Sequence, residues 1–131
     1  MTRREERETL FVLLFEASYA ENPNADEIIR TTEEHMEVET DEYIALHLQK
    51  MLDSLDEIDE ILKKFIIGRT LDRVSKAALT AMRIAVYEIN NLDDVPTAAA
   101  INEAVELVKK YDMDDAASYA NGVLGSYARS L

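Results

Sequence analysis

The chain has 131 residues, enough for one domain with a hydrophobic core, because a chain of this length buries about two-thirds of its unfolded surface. Hydrophobic residues make up 47%, with only three Gly and two Pro, which argues against a disordered, collagen-like or turn-rich β protein. The net charge of −13 opposes binding of the whole chain to polyanions, and the absence of cysteine excludes disulfides, thiolate metal sites and cysteine nucleophiles.

The acidic side chains are concentrated in residues 21–60, which hold 14 carboxylates against only Arg30 and Lys50. Residues 1–8 carry three arginines and three glutamates and are therefore neutral. A polyanion would avoid the middle of the chain and could approach only the N-terminus and the C-terminal half.

The N-terminal third predicts two helices. Thr2 and Glu5 have the spacing of a capping box, and apolar residues then recur every three or four positions from Leu10 to Tyr19. Residues 22–24 (Asn-Pro-Asn) end this helix. A shorter helix follows over about Ala25–Glu37, with polar content that makes its pattern weak.

One long helix is predicted next, over residues 41–67. Asp41 can cap its start, one apolar stripe continues from Ile44 to Ile66, and no Pro or Gly interrupts it before Gly68. At ~1.5 Å per residue its length would be roughly 40 Å.

Three further helices are predicted after a linker. Ser75 can cap a helix that runs to Asn90, and Thr97 can cap one that runs to about Tyr111. The last helix follows the acidic connection 112–115 and carries an apolar stripe that ends at Tyr127. No segment alternates with a period of two, so the fold class is predicted to be all-α.

The residues that most enzymes and metal sites need are missing from this pattern. His35 and His47 are twelve positions apart in different predicted helices, and neither has a Glu-x-x-His partner. Three glycines cannot build a phosphate-binding loop, and residues 112–115 lack the turn glycine and closing glutamate of a calcium loop. We therefore predict that the chain is not an enzyme and has no metal or cofactor.

Membrane association is also not expected. No apolar run approaches the ~20 residues that span a bilayer, and residues 1–8, with three glutamates and no long apolar segment behind them, do not have the pattern of a signal peptide. The predicted location is cytoplasmic.

Four linked motifs in residues 82–124 resemble the NusB family of bacterial transcription antitermination factors, whose order and spacing they match. They are Met-Arg-Ile-Ala-Val-Tyr-Glu at 82–88, Val-Pro at 95–96, Ala-Ile-Asn-Glu-Ala-Val-Glu-Leu at 100–107 and Asn-Gly-Val-Leu at 121–124. Leu-Asp-Arg at 71–73 and Arg7-Glu8 near the N-terminus are similar to the family as well. Residues 21–60 share only helical character with it.

The resemblance implies a single domain over residues 1–131, built as a bundle of about six to seven helices in two packed three-helix subdomains, about 1–67 and 72–131. It also implies a function in transcription antitermination: binding of the boxA element of ribosomal RNA transcripts together with NusE, a small-subunit ribosomal protein. Contact with the RNA polymerase elongation complex would then be indirect.

The residues that the resemblance places against RNA fall in three regions of the chain. The family's arginine-rich helix corresponds to Arg3, Arg4 and Arg7, and helix N-termini and guanidinium groups do bind phosphates. Aromatic positions of the family correspond to Phe15 and Tyr119, which could stack on unpaired bases or belong to the core. Arg83 and Asn121 complete the set, although Arg83 could equally tether two helices.

Two other functions stay open. The same fold could be an acidic protein-interaction module, a homodimer or a NusE-binding protein, with weak or lost RNA binding, because the acidic middle suits a basic ribosomal protein. A NusB-like RNA-binding domain of an RNA cytosine methyltransferase is the third interpretation, which would require a partner domain that this chain does not carry.

Overall fold

The computed structural model describes all 131 residues and contains seven α-helices, one short 3₁₀ helix and no β-strand. This confirms the predicted all-α class and the expected number of helices. The helices are α1 (Arg3–Ala17), α2 (Ala25–His35), α3 (Glu42–Asp53), α4 (Leu55–Lys63), α5 (Lys76–Asn91), α6 (Thr97–Tyr111) and α7 (Asp114–Ser130), and the 3₁₀ helix spans Leu71–Arg73.

The chain divides into two compact units. The first, residues 1–54, contains α1 to α3, and the second, residues 55–131, contains α4 to α7. We expected the first subdomain to extend to about residue 67 and the second to begin at about 72. The structure instead assigns residues 55–67 to the second unit, because α4 packs against α5.

The predicted long helix over 41–67 is wrong, because the chain leaves helical geometry at Ser54. Its φ and ψ are −106° and 5°, and its N–H is shared between the carbonyl oxygens of Lys50 and Met51, each at 3.1 Å. The Ser54 hydroxyl also donates to the Lys50 carbonyl. A serine that hydrogen-bonds to the preceding turn competes with the helical ladder, a local effect that the apolar stripe does not report.

In the first unit, α1 packs on α2 and α3, and α2 packs on α3. The side chains that form this core lie on the apolar stripes expected from the sequence and include Leu10, Phe11, Leu14, Ile28, Ile44, Leu48 and Met51. Burial of these apolar side chains holds the three helices together, because each Å² of apolar surface removed from water contributes roughly 25 cal/mol of stability.

In the second unit, α5 is the central helix and packs against α4, α6 and α7. It buries residues on nearly all sides, and its many alanines leave room for neighbouring helices. Ser75 caps α5, since its Oγ accepts a hydrogen bond from the Ala78 N–H at 3.2 Å. The predicted cap at Thr97 is wrong: Pro96 holds the cap position of α6, and Thr97 is the first helical residue.

Candidate nucleic-acid interface

The N-terminal end of α1 is fixed by the predicted capping box. The Glu5 N–H donates to Thr2 Oγ1 at 3.1 Å, and the Thr2 N–H donates to Glu5 Oε1 at 3.0 Å. The hydrogen bond from the Thr2 N–H is the main cause that lowers the pKa of the Glu5 carboxyl. The first turn, which carries Arg3 and Arg4, is therefore held in helical geometry.

Arg3 has partners within its own unit. Its Nη1 lies 3.1 Å from Glu6 Oε1, and its guanidinium carbon lies 3.7 Å from the centroid of the Tyr43 ring. The Arg3 side chain nevertheless stays 54% exposed, whereas that of Glu6 is 9% exposed. A phosphate that approached Arg3 would therefore compete with a nearly buried carboxylate.

The surroundings of the Glu6 carboxyl raise its pKa. Burial raises the pKa of Glu6, and a hydrogen bond to Asp41 together with the negative charge of Asp41 raises it further. The pKa of Asp41 is lowered, chiefly because the Ile44 N–H donates to its Oδ1 at 2.8 Å. Of Glu6 and Asp41, Glu6 is therefore the residue that is protonated more readily. Protonation removes the negative charge of Glu6 and weakens its ion pair with Arg3.

The predicted arginine cluster is divided by the fold. Arg4 is exposed, but Arg7 is only 8% exposed. The reason is helical periodicity: Arg7 stands three and seven positions before Leu10 and Leu14, which lie in the core. The resemblance assigns both Arg3 and Arg7 to RNA, and the structure exposes the first and buries the second.

Two aromatic rings on α1, Phe11 and Phe15, and a third just after its end, Tyr19, follow one another at intervals of four residues. The Phe15 ring centroid lies 6.3 Å from that of Phe11 in a stacked arrangement and 5.6 Å from that of Tyr19 in an edge-on arrangement. Phe11 is buried, Phe15 is half-buried and Tyr19 is 65% exposed. Part of the Phe15 side chain therefore lies in the core and part lies at the surface.

Arg83 forms a bidentate ion pair in the second unit. Its Nε and Nη2 each donate to one oxygen of Asp59 in α4, both at 2.8 Å, and the side chains are 13% and 18% exposed. Of the two interpretations that the sequence allowed for Arg83, this geometry favours the structural one: the residue tethers α5 to α4. Its guanidinium has little surface to offer an RNA.

Tyr119 and Asn121 both lie on α7 but differ in their surroundings. The Tyr119 hydroxyl donates to the Ile67 carbonyl at 3.4 Å, and the guanidinium carbon of Arg69 lies 4.3 Å from the Tyr119 ring centroid. Asn121 is exposed and makes no hydrogen bond through its side chain. Of the residues assigned from the resemblance, Asn121 is the one that presents an amide to solvent.

Gly122, the neighbour of Asn121, is exposed as well. A Cβ atom built on Gly122 would have no heavy atom within 4 Å. Close helix packing therefore does not require a glycine at this position.

Sequence reasoning missed Arg69 and Arg73, which border an open groove of about 630 Å³ in the second unit together with Tyr119. Arg73 appeared only as part of a family motif, and Arg69 in no motif. The two arginines are about fifty positions from Tyr119, so no local spacing connects them. The signal that could have found them was a pair of basic residues just outside the acidic region.

Other kinds of site find little support in the structure. No group of three or more His, Asp or Glu side chains is arranged to hold a metal ion. None of the seven helices combines the length and the apolar character needed to cross a membrane. His47 is buried, and this burial lowers its pKa.

Comparison with known proteins gives a consistent result over the whole chain. The family model of the NusB family matches residues 4–129 of this chain. The transcription antitermination protein NusB of Lachnoclostridium phytofermentans is 42% identical over 127 residues, which cover 95% of this chain and 96% of that protein.

Two solved structures share the fold. NusB of T. maritima superposes with a TM-score of 0.82 at 24% identity, and the alignment covers 98% of this chain and 92% of that one. A chain in the crystal structure of antitermination factors NusB and NusE in complex with dsRNA superposes with a TM-score of 0.79 at 25% identity, covering 98% of this chain and 97% of that one.

Proposed function

This chain belongs to the NusB family, and we propose that it is a transcription antitermination factor that binds boxA-type ribosomal RNA leader sequence together with NusE. The observation that carries the proposal is the family match over residues 4–129. The structural similarity to a protein solved with NusE and dsRNA supports the same partners. The protein would act in the cytoplasm without catalysing a reaction, and would reach RNA polymerase only through this complex.

The mechanism that we propose is recruitment. A chain with a net charge of −13 gains little from general electrostatic attraction to RNA, so its own RNA affinity should be modest. When NusE and this protein hold one RNA and each other, the second binding step becomes intramolecular and the combined affinity rises by orders of magnitude. The acidic residues 21–60 suit a basic ribosomal protein as the shared partner.

The RNA contacts in this proposal come from Arg3 and Arg4 in the first unit and from Tyr119 and Asn121 in the second, with the exposed edge of Phe15. Arg7 and Arg83 would then act by holding α1 and α5 in place, since one is buried and the other is paired with Asp59.

A titration of labelled boxA-type RNA tests the function. We expect the protein with NusE to bind this RNA in preference to a scrambled RNA at moderate salt. Equal binding of the two RNAs would refute the proposal.

A matched pair of variants tests the arginines. Arg3→Gln/Arg4→Gln should weaken RNA binding and reduce the slope of log K against log salt by about 0.7 for each phosphate that the variant no longer binds. Arg30→Gln, which removes one exposed charge from α2, should change neither quantity. If the double variant behaves like Arg30→Gln, the RNA does not meet the start of α1.

The acidic protein-interaction module remains a second candidate. The ion pair of Arg3 with Glu6 favours it, because it neutralises part of the basic tip within the chain. This alternative predicts that NusE binds in the absence of RNA and after RNase treatment. Light scattering over a dilution series would distinguish a homodimer, and a complex that requires RNA would exclude this candidate.

A further inference from the structure

The open groove in the second unit has an uneven distribution of charge. Arg69 and Arg73 line it together with Asp112 and Asp115, and the exposed side chain of Met113 lines it as well. A phosphate would therefore be attracted to the two arginines and repelled by the two aspartates. We refer to this feature as the Arg69 groove.

The two arginines of the groove differ from those of α1 and α5. Both are exposed, and neither has a carboxylate oxygen within 4 Å, whereas Arg3 pairs with Glu6 and Arg83 with Asp59. Arg69 and Arg73 are the two basic side chains that line the groove. Their charges are not neutralised by the protein and remain available to an anionic ligand.

The Arg69 guanidinium also covers the Tyr119 ring. The distance of 4.3 Å from guanidinium carbon to ring centroid is that of a cation–π contact, and the Tyr119 hydroxyl is bonded to Ile67, which restrains the ring. Any base that approaches this side of Tyr119 meets the guanidinium before the ring. Unpaired RNA bases stack on arginine planes as well as on aromatic rings.

We propose that the Arg69 groove is an RNA-contact site in which an unpaired base stacks on the Arg69 guanidinium, supported from behind by Tyr119, while Arg73 binds a neighbouring phosphate. The inference rests on the proposed function, since it assumes a single-stranded RNA ligand. It changes the role of Tyr119 from a stacking surface to the support of one. Arg69 and Arg73 thereby supply the positive charge that the second unit needs to hold RNA.

Three substitutions separate stacking from charge. Arg73→Gln should reduce the salt slope of boxA-type RNA binding by about 0.7, the value for one phosphate of a single strand. Arg69→Gln should weaken binding about fivefold, the lower end of the effect of losing one stacked base. Arg69→Lys keeps the charge but loses the flat group, so it should weaken binding by a similar factor without changing the salt slope.

Arg129→Gln is the matched control, because it removes one exposed arginine from α7 outside the groove. It should bind the RNA as the unchanged protein does. Thermal unfolding followed by circular dichroism should give similar midpoints for all four variants, since each side chain is exposed.

The outcomes distinguish this inference from the proposed function. If the unchanged protein with NusE prefers boxA-type RNA and the Arg69 and Arg73 variants bind as tightly as Arg129→Gln, the groove site is refuted and the function stands. If Arg69→Lys alone binds normally, Arg69 acts as a charge and the stacking arrangement is wrong. If the unchanged protein shows no preference for that RNA, both proposals fail together.

Discussion

Replacement of Arg83 should destabilise the protein rather than weaken its contact with RNA. Arg83→Met would leave the Asp59 carboxylate, whose side chain is 18% exposed, without its two hydrogen bonds of 2.8 Å. Loss of one partner from a buried ion pair costs about 3–5 kcal/mol. Because this pair keeps some exposure, we expect the lower end, about 3 kcal/mol.

This cost is large enough to measure by two methods. With roughly 2 cal/mol/K of unfolding entropy per residue, a loss of about 3 kcal/mol lowers the midpoint of thermal unfolding by roughly 10 °C. In urea, where small proteins lose about 1–3 kcal/mol of stability per molar, the midpoint should fall by more than about 1 M. Circular dichroism at 222 nm would follow both transitions.

The double variant Asp59→Leu/Arg83→Met is the control for the mechanism. Replacing both members of a buried pair with apolar groups is often neutral, so the double variant should recover most of the stability that Arg83→Met removes. At a temperature where the unchanged protein and both variants are folded, all three should bind RNA with the same affinity. Weaker RNA binding by Arg83→Met at unchanged stability would refute this reasoning and return Arg83 to the RNA interface.

Three further predictions concern stability. Gly122→Ala should stabilise α7 by about 1 kcal/mol, because the new methyl group meets no atom within 4 Å, and a lower thermal midpoint would contradict the open surroundings of this residue. Thr2→Ala should cost about 1 kcal/mol in urea unfolding by removing the capping box, whereas Thr2→Ser should cost little; equal losses would mean that the hydroxyl does not cap α1. Burial lowers the pKa of His47 below its usual 6.5, so the stability that the neutral imidazole contributes is complete above that pH and is lost as the pH falls through the lowered value. Between about pH 7.5 and 5.5, the His47→Gln variant should therefore lose less unfolding free energy than the unchanged protein. Identical losses would contradict the lowered pKa of His47.

Local patterns in the sequence predicted most of the helices. The caps at Thr2, Asp41 and Ser75 are present as hydrogen bonds because an oxygen at the cap position reaches an N–H only two or three residues away. The apolar stripes of α1 and α3 face their cores for a similar reason, since helical periodicity alone fixes which side chains share a face.

The predictions from the sequence were wrong where another local interaction competed with the helical pattern, or where residues far apart in the chain came into contact. The apolar stripe over 41–67 continues through Ser54, but the hydroxyl of that residue bonds to the preceding turn and ends α3. At Thr97, the sequence offered a suitable capping side chain, and the chain placed Pro96 at that position instead.

The sequence by itself determined the fold class and the family, because both depend on residue types at short spacings. Only the tertiary structure decided which arginines remain available. The pairing of Arg83 with Asp59 and the contact of Arg69 with Tyr119 each join residues that are far apart in the chain. Arg7 is buried because the face of α1 that it shares with Leu10 and Leu14 packs into the core. The sequence alone does not show whether an arginine is paired. The ligands that its guanidinium group can bind depend on the carboxylates and aromatic rings that the fold places around it.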